Sequence, residues 1–167
     1  MGKRPRKPGR RGTPTGDWAA KARLKRSIET IRGLLGAGRV QDAVRASTEA
    51  QSAFPDEPDV WRVSAEIALR MGATGEAARL LERVVERAPR DAEAWGQLAG
   101  LRSRLNDPAG AAEMIGRASA IRPDDAALQR RLFEYAQSLN NAAIAAECAR
   151  RWARAAPDDR WAAAQLA

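Results

Sequence analysis

The sequence predicts an all-α solenoid, that is, a stack of repeated helix pairs. The main observation is a 34-residue period that runs through most of the chain and is kept without a slip by Pro55, Pro89, Pro123 and Pro157. An alanine series that begins at Ala43 keeps the same interval, and so does a glycine or asparagine series that begins at Gly38. A fixed period of this length is typical of repeat arrays, in which one helix pair cannot bury its own apolar face.

This phase divides the chain into four units, at residues 24–57, 58–91, 92–125 and 126–159. Each unit is predicted to contain a helix, a short turn, a second helix and another turn. The first helix is expected to start at Asp17 as its N-cap, so the array spans residues 17–159. Residues 160–167 start another first helix and form either a C-terminal capping helix or a truncated fifth unit, in which Trp161 and Leu166 shield the open end.

Residues 1–16 differ in composition from the rest of the chain. They contain no acidic residue and supply most of the net charge of +8 through Lys3, Arg4, Arg6, Lys7, Arg10 and Arg11. A segment so rich in proline, glycine and cations buries too little apolar surface to become ordered, so it is predicted to be a disordered basic arm. Two roles stay open for the arm: weak binding of nucleic acid or another polyanion by phosphate neutralisation, or a solvated tail.

The composition excludes several kinds of chemistry. The chain has no histidine, which removes Ser–His–Asp and Cys–His nucleophiles and most zinc sites. Cys148 is the single cysteine, and we expect it to be buried and structural. The glutamates Glu82, Glu86 and Glu113 alternate with arginines, a pattern typical of solvated helix faces. We therefore predict no catalytic residue, no metal site and no cofactor.

The sequence also bears on the compartment. One cysteine cannot form an internal disulfide framework, which fits a reducing compartment. No run of about 18 apolar residues is present, so no membrane span is predicted. We predict a cytoplasmic protein, and the composition, rich in arginine and alanine, suggests a bacterial one.

The repeat resembles the tetratricopeptide repeat (TPR) family. That family's pattern has Trp at the fourth position of a unit, Leu at the seventh, Ala at the twentieth and Pro at the thirty-second. Unit three carries this pattern best, in Trp95, Leu98, Ala99, Ala111, Ile115, Ala118 and Pro123. Unit two repeats it in Trp61, Ala65, Ala77, Leu81 and Pro89. The resemblance implies a right-handed superhelix of helix-turn-helix repeats.

Units one, three and four depart from the family pattern at individual positions. Ser27 and Gln129 replace the tryptophan in units one and four. In unit four the large and small positions are exchanged between Ala149 and Trp152, a swap that can conserve core volume. Arg102 replaces a usual aromatic residue in unit three, and we expect its stem to pack while its charged head reaches water.

The resemblance also implies that the first helices line a concave groove that binds a partner protein or peptide. The candidate groove residues are Arg32, Arg62, Glu66, Arg70, Gly96, Gly100, Arg104, Arg130 and Glu134. Gly96 and Gly100 share one helix face, where they allow close approach either of a ligand backbone or of a neighbouring helix. Arg62 with Glu66, and Arg130 with Glu134, are spaced to form ion pairs along one helix.

The leading functional hypothesis is a non-enzymatic scaffold or adaptor that binds a peptide or partner protein in this groove. Two alternatives stay open. In the first, the chain is the N-terminal repeat module of a larger bacterial enzyme of the sulfotransferase or glycosyltransferase type, because TPR arrays precede such domains in some proteins. In the second, the protein is associated with nucleic acid or the ribosome through the arm at residues 1–16.

Overall fold

The computed structural model describes residues 15–165, and these form nine α-helices and no strand. The helices are α1 (Thr15–Gly36), α2 (Val40–Ala53), α3 (Pro58–Arg70), α4 (Thr74–Arg87), α5 (Ala92–Arg104), α6 (Pro108–Ile121), α7 (Ala126–Ser138), α8 (Ala142–Ala155) and α9 (Arg160–Ala164). Helices α1 to α8 pack as four consecutive pairs, each with a first and a second helix. The predicted fold class, a solenoid of helix pairs, is confirmed.

The N-terminal boundary differs from the predicted one. Helix α1 begins at Thr15, so Asp17 lies inside its first turn rather than at its N-cap. An acidic residue suits the first turn of a helix as well as the N-cap, so the sequence could not separate the two. Of the predicted arm, residues 1–16, only Thr15 and Gly16 are described, and both are helical. Residues 1–14, with all six arm cations, lie outside the described residues, as do residues 166 and 167.

The turn between the two helices of each pair contains one residue with left-handed backbone geometry. These residues occupy one repeat position, at Gly38 (φ 72°), Gly72 (φ 74°), Asn106 (φ 60°) and Asn140 (φ 52°). Glycine has no Cβ to clash there, and asparagine tolerates this region better than most residues. The N–H of Ala73, just after Gly72, donates to the carbonyl of Ala68 at 2.9 Å, which closes the end of α3. The glycine or asparagine series therefore encodes the turn between paired helices.

Short polar side chains cap many of the helix starts. In α5 to α9 the N-cap side chain accepts hydrogen bonds from backbone N–H groups of the first turn, and the residues are Asp91, Asp107, Asp125, Asn141 and Asp159. Glu57 makes no such bond at the start of α3, because glutamate is not among the side chains suited to an N-cap. Pro108 follows Asp107 at the first helical position, where its missing N–H removes no helix bond.

The helix pairs share their cores with their neighbours. Helix α3 shows this most directly, since Val60 and Val63 pack with residues of α1 and α2. Trp61 and Ala65 of the same helix belong to a second cluster, which continues through the remaining helices. One first helix thus buries side chains against the preceding and the following pair, so the core is continuous along the array.

In units two and three the repeat tryptophan connects the unit to the turn before it. The indole N–H of Trp61 and that of Trp95 each donate to the carbonyl of the preceding repeat proline at 3.0 Å. Gln129 occupies the same position in unit four and is fully buried. Its side-chain amide donates to the carbonyl of Arg122 at 2.8 Å. The glutamine therefore keeps a hydrogen bond to the inter-unit turn where the indole is absent.

The exchange of volume in unit four is accommodated within the core. Ala149 and Trp152 are both buried. The Trp152 ring lies 6.0 Å from that of Phe133, and its N–H donates to Asp159 at 3.1 Å. Trp161 of α9 lies 6.4 Å from Trp152 between ring centroids but stays 62% exposed, so it covers the end of the array only in part. Leu166, its expected partner, lies outside the described residues.

The Arg102 side chain forms ion pairs with two carboxylates. Its guanidinium donates to Glu82 of α4 and, at 3.1 Å, to Asp107 at the start of α6. A single side chain of α5 therefore connects the second helices of two neighbouring pairs. The side chain stays 35% exposed, but the sequence did not show that two carboxylates from outside α5 converge on its head.

Replacement of Trp152 by alanine tests the core of the last unit. Because Trp152 is only 1% exposed, we expect Trp152→Ala to lower the free energy of unfolding by about 3–5 kcal/mol. Trp161→Ala is the matched control and should lower the free energy of unfolding by much less than Trp152→Ala, because most of the Trp161 ring already contacts water. Urea unfolding followed by circular dichroism measures both. Equal losses for the two variants would contradict the assigned burial.

Candidate partner-binding groove

The first helices α1, α3, α5 and α7 form one face of the array, here called the groove face. Ion pairs connect consecutive first helices across it. Arg32 of α1 lies 3.9 Å from Glu66 of α3, and Arg131 of α7 lies 2.7 Å from Glu93 of α5. A third pair joins Arg62 of α3 to Asp91 at the start of α5. We call these three ion pairs the ionic ladder and each pair a rung.

Arg62 and Asp91 form the central rung of the ladder. The Arg62 side chain is only 18% exposed and donates to the Asp91 carboxylate, with Asp59 at 3.6 Å on its other side. Burial acts to raise the pKa of Asp91, but hydrogen bonds from Arg62 and the Ala94 N–H outweigh it and lower that pKa. The expected Arg62–Glu66 pair was therefore wrong. Glu66 pairs with Arg32 across the helices instead.

Glu93 and Arg131 form a rung that the sequence did not reveal. Glu93 also accepts a hydrogen bond from Gln97 at 3.2 Å. Burial acts to raise the pKa of Glu93, but the bond from the Arg131 guanidinium outweighs it, so that pKa lies below its usual value. The two residues lie 38 positions apart, four more than one repeat. A search one repeat and one helical turn ahead of each acidic groove residue would have found Arg131.

The two groove glycines allow α7 to pack closely against α5. A Cβ atom at Gly96 would lie 3.3 Å from Leu128 Cδ1 and equally close to Arg131, while one at Gly100 would lie 2.9 Å from Tyr135 Cζ. The Tyr135 ring thus takes the space that a side chain at position 100 would need. Of the two alternatives for these glycines, the observed contacts are those of close helix packing.

Arg70 and Arg104 are the arginines among the predicted groove residues that have no ionic partner within the described range. They occupy one repeat position, at the last residue of α3 and of α5. Leu69, beside Arg70, is 38% exposed although it is a large apolar side chain. A cavity of about 420 Å³ opens here, lined by Arg32, Leu35, Gly36, Glu66, Leu69 and Arg70.

The other end of the groove face is aromatic. Arg130 pairs with Glu134 at 3.2 Å, as predicted from their spacing. Its guanidinium carbon also lies 5.7 Å from the ring centroid of Trp152 and 5.9 Å from that of Trp161. Both distances are within the range of cation–π contact. A second cavity, of about 470 Å³, lies beside this cluster.

The described residues offer little for catalysis. No group of three or more His, Cys, Asp or Glu side chains within residues 15–165 could hold a metal ion. Burial raises the pKa of the Cys148 thiol, and a hydrogen bond with Ser119 and the charge of Arg151 only partly offset this. The thiol is therefore protonated and poorly nucleophilic at neutral pH. No helix in this range has the length and apolar character needed to cross a membrane.

The match to a family model agrees with this geometry. Residues 34–101 match the tetratricopeptide repeat model. Over these residues the chain is similar to the tetratricopeptide repeat family. The matched segment runs from the end of α1 into α5, and the same helix pairs continue beyond it to α8, so the described chain is a TPR-type α-solenoid. A comparison with curated proteins gave no match.

Solved structures of several proteins share the fold. MamA from Desulfovibrio magneticus RS-1 superposes with a TM-score of 0.68 at 18% identity, over 82% of this chain and 77% of that one. PilF from Pseudomonas aeruginosa gives 0.71 at 15% identity, over 89% and 68%. YrrB, described as a TPR protein with an unusual peptide-binding site, gives 0.66 at 12% identity, over 84% and 72%. At these identities the likeness concerns the fold alone.

The ionic ladder makes stability depend on pH. Because the pKa of Glu93 is lower in the folded chain, its pair with Arg131 stabilises the fold fully above the ordinary carboxyl pKa of 4.5. This contribution is lost as the pH falls through the lowered folded value. We expect Glu93→Gln to lower the free energy of unfolding by up to about 1 kcal/mol at neutral pH, since water screens this half-exposed pair.

The difference between Glu93→Gln and the unsubstituted protein should shrink as the pH falls through the lowered folded pKa of Glu93, where its carboxyl group becomes protonated. Urea unfolding at a series of pH values measures it. Glu29→Gln is the control, because Glu29 pairs with Lys25 at 3.8 Å on an exposed surface and should show almost no effect. A difference that stays constant with pH would exclude the ion pair as its cause.

Proposed function

We propose that this chain is a protein-interaction scaffold that holds a segment of a partner protein on its groove face and has no catalytic activity of its own. The observation that carries the proposal is the distribution of charge on that face. The ionic ladder compensates the charges of its floor internally. Arg70 and Arg104 stand outside the ladder and offer free guanidinium groups one repeat apart.

The ladder prepares this face for binding. Because each rung fixes one first helix to the next, the groove side chains are held in place before a partner arrives, which reduces the entropy lost on binding. Carboxylates of a partner would accept charge-assisted hydrogen bonds from Arg70 and Arg104. An apolar side chain of the same segment would cover Leu69 at the 420 Å³ cavity.

The remaining predicted residues extend this surface in both directions. Arg32 and Glu66 line the same cavity as Leu69. Arg130 and Glu134 lie at the other end, next to the exposed ring of Trp161. Exposed aromatic and arginine side chains are enriched in protein interfaces, so a long partner segment has contacts to make there as well.

Charge reversal at the two free arginines tests the groove. The protein is cross-linked in its own cells, its partners are identified by mass spectrometry, and the affinity for the purified partner is measured by calorimetry. We expect Arg70→Glu together with Arg104→Glu to weaken binding by roughly 10- to 100-fold, because the partner's carboxylates then meet like charges. The circular dichroism spectrum should not change, because both side chains are exposed.

A matched control reverses two exposed arginines that are not groove residues, Arg23 in α1 and Arg154 in α8. It makes the same change in net charge and should leave the affinity unchanged. If both double variants weaken binding equally, only net charge matters and the groove assignment is wrong. Unchanged affinity in the Arg70 and Arg104 variant would also exclude it.

A further inference from the structure

A cleft lies between the second helices α2 and α4, with α3 as its floor. It encloses about 470 Å³, within the range of ligand-binding pockets. Val44, Ile67, Ala68 and Leu80 give it apolar walls, and Thr48 and Gln51 line one side with polar groups. None of the predicted groove residues lines it. We call it the second-helix cleft.

The cleft is open because three positions that line it carry small residues, whereas the equivalent positions one repeat later carry large ones. Ser47, Ser64 and Ala68 line it. One repeat later the equivalent residues are Leu81, Leu98 and Arg102. There both leucines are fully buried, and Arg102 spans the gap between α4 and α6 through Glu82 and Asp107. The same place in the array is therefore filled in one unit and empty in the preceding one.

The floor of the cleft holds a buried polar network. The hydroxyls of Ser47 and Ser64 lie 2.7 Å apart, and Ser64 donates onward to the carbonyl of Val60 at 2.7 Å. The side-chain amide of Gln51 donates to Ser64 at 2.8 Å. This leaves the Gln51 amide oxygen free to accept a hydrogen bond from a ligand at the cleft wall. A wall with apolar surface and one free acceptor suits a peptide, which has both apolar side chains and backbone N–H groups.

Arg83 stands at the rim with an uncompensated charge. Its guanidinium lies over the Trp61 ring, 4.4 Å from the centroid, and no carboxylate of the described residues pairs with it. Arg117 occupies the equivalent position over Trp95 at 4.9 Å but is neutralised by Glu113 at 2.7 Å. The stacked ring fixes the position of the Arg83 cation. It is therefore a ready partner for an incoming carboxylate.

We propose that the second-helix cleft binds a segment of a partner protein in which an apolar side chain is followed by a glutamate or aspartate. The apolar side chain fills the space that Leu81, Leu98 and Arg102 occupy in the next repeat. The carboxylate accepts hydrogen bonds from Arg83, and a backbone N–H donates to Gln51. This site lies on the opposite side of α3 from the groove cavity and does not depend on binding at the groove face.

Two short synthetic peptides test this proposal by nuclear magnetic resonance. The acidic probe is acetyl-Gly-Leu-Phe-Glu-Asp-Gly-amide, and the neutral probe replaces Glu and Asp by Gln and Asn. With the ¹⁵N-labelled full chain, the acidic probe should shift the backbone amide signals of Gln51, Ala68 and Arg83. The neutral probe should bind the same site about tenfold more weakly, because it lacks the charge-assisted bond to Arg83.

Three variants complete the test. Arg83→Gln should lower the affinity for the acidic probe about tenfold, to that of the neutral probe, whereas Arg117→Gln, its repeat equivalent, should leave it unchanged. Ala68→Leu should abolish the shifts by filling the cleft, with a thermal melt to confirm that the variant is folded. No shifts, shifts confined to Arg70 and Arg104, or equal effects of Arg83→Gln and Arg117→Gln would each overturn the proposal. Shifts confined to Arg70 and Arg104 would at the same time support the groove.

Discussion

The inability of one helix pair to cover its own apolar surface is the constraint on which this structure depends. Each first helix contributes to the core on both of its sides, as Val60 and Trp61 of α3 show by pointing into different clusters. Stability therefore comes from stacking, and a unit is stable only with neighbours. The same stacking places all the first helices on one face, so the groove face follows directly from the way the core is built.

The ionic ladder then determines which charges of the groove face are already paired within the protein. Each rung joins an arginine of one first helix to a carboxylate on, or at the start of, a neighbouring first helix. The central rung, Arg62 with Asp91, is the most buried. Removing one member of this buried pair leaves the other uncompensated, so Arg62 and Asp91 are poorly available to a ligand. In the proposed function, a partner is therefore recognised by Arg70 and Arg104 at the helix ends, which no carboxylate in residues 15–165 neutralises.

Departures between equivalent positions are the most informative feature of a repeat protein. Positions that keep the pattern, such as the turn residues and the buried alanines, maintain the stack. Ser64 and Ala68 break it and leave a cleft, while Arg102 at the same position one repeat later closes the gap with two ion pairs. Gln129 departs from the pattern without opening space, because its amide replaces the hydrogen bond of the indole. Of these departures, those at Ser64 and Ala68 leave the space in which we propose that a partner segment binds.

The sequence by itself determined the period, the helix pairs, the places of the turns and the repeated core positions of units two and three, because these depend on neighbours along the chain and on the 34-residue interval. It also predicted the Arg130–Glu134 pair, since residues four apart share a helix face. Only the tertiary structure decided that Arg62 meets Asp91, that Tyr135 fills the space at Gly100, and that a cleft opens above Ala68. Those contacts depend on the angle and spacing between stacked helices, which the summed packing of many side chains determines and no local pattern records.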